Sequence, residues 1–217
     1  MRTRIGLLAC AALSCGVLVL ALGGEAAVAR TVSSANLVKN GAAELGQAAA
    51  NSGQIRAPQA WTTTGEFTQV LYGASGGFPT AANSKAIKGG KAFFAGGNVT
   101  LSTATQTDSV PTSWLSQVQR GRVKAVLSAR LGGYGGQQDN ATVVAHFLDS
   151  GGVELKTLQI GPVTVSARSG LTKLLPRTAT VAVPAQAKGI TIVITSTRVD
   201  GQYNDAYVDN VSLVLKR

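Results

Sequence analysis

Six short runs of β-branched and apolar residues, each closed off by glycine-rich or polar turn chemistry, set the limits on what this chain can become. They read "GRVKAVLSARL" (121–131), "ATVVAHFLD" (141–149), "VELKTLQIG" (153–161), "TATVAVPA" (178–185), "GITIVITSTRV" (189–199) and "AYVDNVSLVL" (206–215). Between them lie "GGYGGQQDN", "DSGG", "AQAKG" and "DGQYND", which is loop and hairpin chemistry. The one stretch with helical spacing, "GAAELGQAAA" (41–50), is weakened by its own glycines. This pattern predicts an all-β fold, a jelly-roll β-sandwich in one domain spanning 30–217.

Ahead of it, two arginines precede an apolar run from Ile5 to Leu22, and Ala27-Val28-Ala29 follows. That is the layout of a secretory signal peptide over 1–29, and it predicts a secreted or cell-envelope protein with no stable membrane span after cleavage. Both cysteines, Cys10 and Cys15, fall inside this segment, so the expected mature chain has neither disulfide nor thiol chemistry.

The chain carries a net charge of +10, its lysines and arginines scattered through several loops, Arg168, Lys173 and Arg177 among them. A dispersed positive surface attracts anionic polymers. The export signal and the lack of an aromatic-plus-basic recognition motif argue against nucleic acid.

Catalytic chemistry is thinly represented. His146 is the sole histidine, and alternation puts it on one face of a predicted strand with Val144 and Leu148, opposite Val143, Ala145 and Phe147, which reads as a packed or edge-exposed strand histidine rather than a base. Metal sites built on histidine or cysteine clusters are excluded by count. No "GxSxG" elbow is present to activate a serine. The chain therefore reads as a non-catalytic binding protein. A structural or protein-interaction role in the envelope is the alternative, and a polysaccharide-degrading enzyme the less favoured one.

A binding site for sugar needs an aromatic platform with polar groups beside it. The loop candidates are Tyr72 and Phe78 in "LYGASGGFP", Tyr134 in "GGYGG" followed by Asp139 and Asn140, and Tyr203 in "GQYND" with Asn204 and Asp205. Trp61, Phe67, Phe93, Phe94 and Phe147 read as core.

One residue sits oddly. In "NDAYVDNVSLVLKR", alternation places Asp209 on the same face as Tyr207, Val211, Leu213 and Leu215, a carboxylate among apolar side chains.

The opening "NLVKNGAAELG" (36–46) and the closing "YVDNVSL" (207–213) resemble the start and end of galactose-binding-domain-like jelly rolls, a family similar to secreted carbohydrate-binding modules. Ala43 stands where the family has phenylalanine before the glutamate, and Asn210 replaces a second aspartate. The resemblance implies the fold, a polysaccharide or glycan as partner, and a structural calcium shared by Glu44 and Asp209 with backbone carbonyls near Asn40 or Gly41. Calcium takes oxygen ligands of this kind. The residues by themselves also allow Asp209 to pair with an arginine or with backbone N–H groups.

Overall fold

The computed structural model describes residues 31–217, so the signal-peptide reading of 1–29 and the two cysteines lie outside the described residues. In chain order the strands are β1 (Ala49–Asn51), β2 (Thr62–Thr64), β3 (Thr68–Ser75), β4 (Ala92–Ala95), β5 (Leu101–Ser109), β6 (Lys124–Gly133), β7 (Asn140–Leu148), β8 (Glu154–Ile160), β9 (Lys173–Ala182), β10 (Gly189–Thr197) and β11 (Tyr207–Lys216). Three short helices interrupt them: α1 (Ala81–Ile87), α2 (Thr112–Gln119) and α3 (Val165–Arg168). No described helix is long and apolar enough to cross a membrane.

The strands form two sheets, ordered β1-β3-β4-β11-β6-β9 and β2-β5-β10-β7-β8, and the expected β-sandwich is what they build. Alternation drives the layering. Along β7 every second residue (Ala141, Val143, Ala145, Phe147) is buried and the others are not, and β10 repeats this with Ile190, Ile192 and Ile194. These side chains meet Leu127, Leu131, Leu213 and Leu215 from the facing sheet. Each such fully buried side chain contributes about 1.5–3 kcal/mol by leaving water. Trp61, Phe67 and Phe94 close one side, with Trp61 edge-on to Phe94 at 5.9 Å and its indole N–H donating to the Asn40 carbonyl at 3.2 Å. Trp114 and Val118 of α2 cap the core elsewhere.

No helix forms over 41–50. Asn40 and Ala43 take positive φ instead, and the segment turns so that Gly41 O receives the Val211 N–H at 2.8 Å.

A second apolar cluster lies on the outer face of the six-stranded sheet. Val70, Phe78, Phe93, Leu174 and Tyr207 form it, with Tyr72, Ile87 and Tyr203 against them, so the 73–91 segment with α1 roofs that part of the sheet. Asp209 belongs to this outer layer. Between Asp209 and Ser212 the pairing of β11 with β6 slips by one residue, and Asn210 sits at φ 51°. This bulge inverts the alternation. Tyr207 and Asp209 face outward under the roof, while Val211, Leu213 and Leu215 face the inter-sheet core. The single apolar face expected from strict alternation is thus two faces joined at a bulge.

Candidate functional site

Chain order brings four crossings between the sheets to one end of the sandwich: β4 to β5, β6 to β7, β8 to β9, and β10 to β11. Two buried charged side chains tie the last three of these crossings together, and Asn204 holds the first through the Val99 and Thr100 carbonyls. Asp139 ends the β6–β7 crossing, and its Oδ1 accepts the Val199 and Asp200 N–H groups at 2.6 and 2.9 Å, while Oδ2 accepts the Asp205 N–H at 2.8 Å. Arg168, in α3 of the β8–β9 crossing, is wholly buried rather than the surface cation its charge suggests. Its Nη1 donates to the carbonyls of Gly133, Gly135 and Leu171 at 3.1, 2.8 and 2.7 Å, and its Nη2 to that of Gln137 at 2.7 Å. Burial lowers the guanidinium's pKa. The "GGYGGQQ" loop is therefore wrapped around a cation, and Asp139 clamps the 199–205 loop beside it.

Between these clamped loops opens a cleft of about 520 Å³, lined by Gln138, Asn140, Thr164 and Ser166 with Val163 and Val199. Asn140 Nδ2 donates to the Gln138 carbonyl at 3.1 Å, and the Gln138 N–H donates to Asp200 Oδ2 at 2.6 Å. The lining is amide, hydroxyl and apolar surface. Such groups exchange hydrogen bonds with sugar hydroxyls without transferring protons.

The residues expected to contact a ligand divide. Asn140 lines the cleft, while Tyr134, 40 % exposed on the loop Arg168 holds, does not and lays its ring edge beside Gly77. The other six are built into the framework. Phe78 is buried against Phe93, Tyr203 and Tyr207. Tyr72 stacks at 4.9 Å from Phe93 and Tyr203 packs edge-on to Phe78 at 5.2 Å. Asn204 is fully buried, its amide donating to the carbonyls of Val99, Thr100 and Ser196. Asp205 accepts the Tyr207 hydroxyl at 2.5 Å, and burial raises its pKa to about 6. Asp139 is the clamp itself. Their polarity serves the loops because buried backbone groups need partners, and short Asp and Asn side chains supply them.

Gln138, Thr164, Ser166 and Arg168 were not singled out by the sequence. Arg168 lies in "VSARSG", whose Thr164 caps α3 by accepting the Ala167 N–H at 3.2 Å, and that cap was its one local signal.

Glu44 and Asp209 come to one place, as the family resemblance implies, on either side of the Gly89–Gly90 step. A β-carbon at Gly89 would stand 2.6 Å from Asp209 Oδ2, and one at Gly90 2.3 Å from Glu44 Oε1. Asp209 is fully buried and has no ion pair among the described residues. Its Oδ2 accepts the Tyr72 hydroxyl at 2.6 Å and its Oδ1 the Asn210 N–H at 2.6 Å. Burial lifts its pKa to about 8, with the nearby Glu44 charge adding to the rise. Burial, then the Asp209 charge, drives the Tyr72 phenol well above its usual range.

As donors for a hard divalent ion the two carboxylates fit in kind, since Glu44 uses Oε1 alone for the Lys91 and Ala92 N–H groups at 2.7 and 3.1 Å. The carbonyls named with them are engaged elsewhere. Asn40 O accepts from Trp61 and Ala43, and Gly41 O accepts from Val211. No cluster of three or more histidine, cysteine or acidic side chains suited to a metal occurs among the described residues. The single histidine, His146, meets Glu154 at 2.5 Å on the outer face of the five-stranded sheet, away from the cleft.

No family model and no curated protein matches this sequence. Solved structures similar to it include the enzymatically active domain of bacteriophage CBA120 tailspike protein 4, at 16% identity and TM-score 0.48, where the match covers 82% of this chain and 21% of that one. The chain thus spans about a fifth of the tailspike domain's length. TmCBM61, solved with β-1,4-galactotriose, matches at 15% identity and TM-score 0.48 over 83% of this chain and 98% of that one. The CBM22-1 xylan-binding domain from Paenibacillus barcinonensis Xyn10C matches at 14% identity and TM-score 0.41, over 72% and 86%. The sandwich is similar to those of carbohydrate-binding modules.

Proposed function

We propose that this is a secreted or envelope-associated, non-catalytic glycan-binding protein whose binding site is the cleft at the loop end of the sandwich. The observation that carries the reading is the clamping of that cleft. Asp139 and Arg168 together fix seven backbone groups in the loops around it, so the backbone that carries Gln138 and Asn140 is held before any ligand arrives, and the Asn140 amide and Thr164 hydroxyl are themselves bonded. A preformed site loses less conformational freedom on binding. The lining favours recognition over catalysis, since it brings no carboxylate, histidine or amine to bear on a bound bond.

Calcium is proposed as a structural ion, held by Glu44 and Asp209 at the Gly89–Gly90 step. It would supply the positive charge that two neighbouring carboxylates otherwise lack. Its place under α1 makes it a stabiliser of the roof, separate from the cleft.

The test of the glycan reading is isothermal titration of the chain with neutral oligosaccharides, β-1,4-galactotriose and xylo-oligosaccharides being the first probes. Saturable binding that weakens about tenfold or more in the Gln138→Ala/Asn140→Ala double variant is expected, about 1.4 kcal/mol for hydrogen bonds lost. Binding to a broad panel of neutral glycans that is absent, or unchanged in the variant, overturns it.

A further inference from the structure

The roof over the outer face of the six-stranded sheet stops at the bulge of β11. Beyond it the face is open, and the register fixes what it presents. Lys216 opposes Lys124 and Ala182; Val214 opposes Val126 and Thr180; Ser212 opposes Ser128 and Thr178; and Arg130 opposes Pro176. Directly opposed residues share a face. The six residues from Arg130 to Lys124 span about 20 Å at a strand's rise per residue. At the bulge end a depression of about 410 Å³ brings Lys88 and Arg130 beside Ser128 and Thr178, whereas Arg177, opposite buried Ala129, belongs by register to the inner face and turns its Nη1 to the Pro176 carbonyl at 2.8 Å. Lys88 is held there by Asn210, whose Nδ2 donates to the Ile87 and Lys88 carbonyls at 3.3 Å each.

No carboxylate faces outward in these rows. Asp209, opposite Arg130 in the register, is fully buried and turned to Tyr72. Among the described residues the only lysine or arginine in an ion pair is Lys39, with Asp108 of the other sheet. Lys88, Lys124 and Lys216 thus have no carboxylate partner among the described residues, at the two ends of a track floored by hydroxyls and small apolar groups, while Arg130 lies close enough to Asp209 to pull that carboxyl's pKa down against the rise that burial causes.

We infer that this strip binds an anionic polysaccharide bearing carboxylates, a polyuronate, laid along the strands between the Lys88/Arg130 pair and the Lys124/Lys216 pair. Guanidinium and ammonium groups meet the carboxylates. Serine and threonine hydroxyls and the valine methyls suit the sugar rings between them. The lack of an aromatic in these rows disfavours a nucleic-acid strand, which binds through base stacking. The inference extends the glycan-binding reading to acidic polymers but uses different residues, so the two fail separately.

The experiment is affinity electrophoresis and titration of the full-length mature chain with polygalacturonate, poly(glycerol phosphate) and neutral β-1,4-galactan, at low and at physiological salt. Polygalacturonate binding is expected to weaken at least tenfold in Lys88→Glu/Lys124→Glu/Lys216→Glu. It is expected to stay within about twofold of wild type in Arg120→Glu/Lys156→Glu/Lys188→Glu, which changes net charge equally on other surfaces, and in the Gln138→Ala/Asn140→Ala variant of the cleft. Equal losses in both charge-reversed variants would mean diffuse charge attraction and overturn the strip. Tighter binding of poly(glycerol phosphate) than of polygalacturonate would overturn the carboxylate assignment. Galactan binding without polygalacturonate binding would overturn this inference and leave the cleft standing.

Discussion

The Tyr72 hydroxyl donates to Asp209 Oδ2 at 2.6 Å, joining β3 to β11 across the intervening β4 beneath the roof of the six-stranded sheet. The bond answers why an aspartate is fixed inside a strand of apolar residues. Asp209 is a polar tie in an outer cluster rather than a charge in the main core.

Removing the donor leaves a buried carboxyl with one partner fewer. Tyr72→Phe is expected to lower unfolding free energy by about 1–3 kcal/mol, the range for a buried polar group that loses a hydrogen bond. Urea titration of the variant measures it, and a change within about 0.3 kcal/mol would contradict the tie.

Stability should depend on pH through Asp209 and Asp205. In the folded chain burial raises their pKa values to about 8 and about 6, whereas the unfolded groups titrate near 3.8. Between those limits the folded state holds protons that the unfolded state has released, so this contribution is complete below pH 4 and is lost as pH rises through 6 and then 8. Thermal melts in EDTA should show the midpoint of wild type falling more steeply over pH 5–8 than that of Asp209→Asn. Excess calcium should raise the wild-type midpoint and cancel that difference, since the ion binds the ionised carboxylate. Identical midpoints with calcium and with EDTA would remove the calcium proposal, and identical pH slopes would remove the Asp209 assignment.

The Gly89–Gly90 step has no room for side chains. A β-carbon at Gly89 would meet Asp209 Oδ2 and the Tyr72 hydroxyl at 2.6 Å, and Gly90 also takes φ 72°. Gly90→Ala is expected to destabilise by about 1–3 kcal/mol through strain and overpacking. Gly170→Ala has a similar φ of 67° but open space around it, and should cost about 1 kcal/mol. Equal effects of the two substitutions in urea titration would show that the carboxylates do not crowd this step.

Arg168→Met removes the donors to four loop carbonyls at once. About 3 kcal/mol of stability should go with them, as for a buried hydrogen-bonded charge. Hydrogen exchange should quicken in residues 133–138 well before it does in the core of β7 and β10. Unchanged exchange in that loop would contradict the clamp.

Much of the sandwich is legible in the sequence, for particular reasons. β6, β7, β10 and β11 alternate β-branched and small residues long enough to declare themselves. β4, "AFFA", is buried on both faces and so has no alternation to read, and β5, "LSTATQTDS", has an outward face of threonine and serine and an inward face that includes Gln106 and Asp108, so it resembles a loop. The bulge at Asn210 is a backbone event that leaves composition unchanged, which is why strict alternation misplaced Asp209. At the loop end, the sequence offers Tyr134, Asp139, Asn140, Asn204 and Asp205 as contacts, and the structure leaves Tyr134 exposed, puts Asn140 in the cleft and builds Asp139, Asn204 and Asp205 into the framework. The partners of Asp139 and Asn204 are backbone groups up to 105 residues away, which no local pattern announces, and Asp205 is bonded to the Tyr207 hydroxyl beneath the roof. Arg168 was hidden for the same reason.

The central claim is that glycan binds at the clamped loop end. The most direct measurement is amide NMR of residues 30–217 titrated with a neutral oligosaccharide found to bind. Shift changes concentrated in residues 134–140, 162–166 and 199–200, with the five-stranded sheet's outer face around Thr105 and Val193 unmoved, are the predicted result. Changes centred on that face, with the loop end silent, would contradict it.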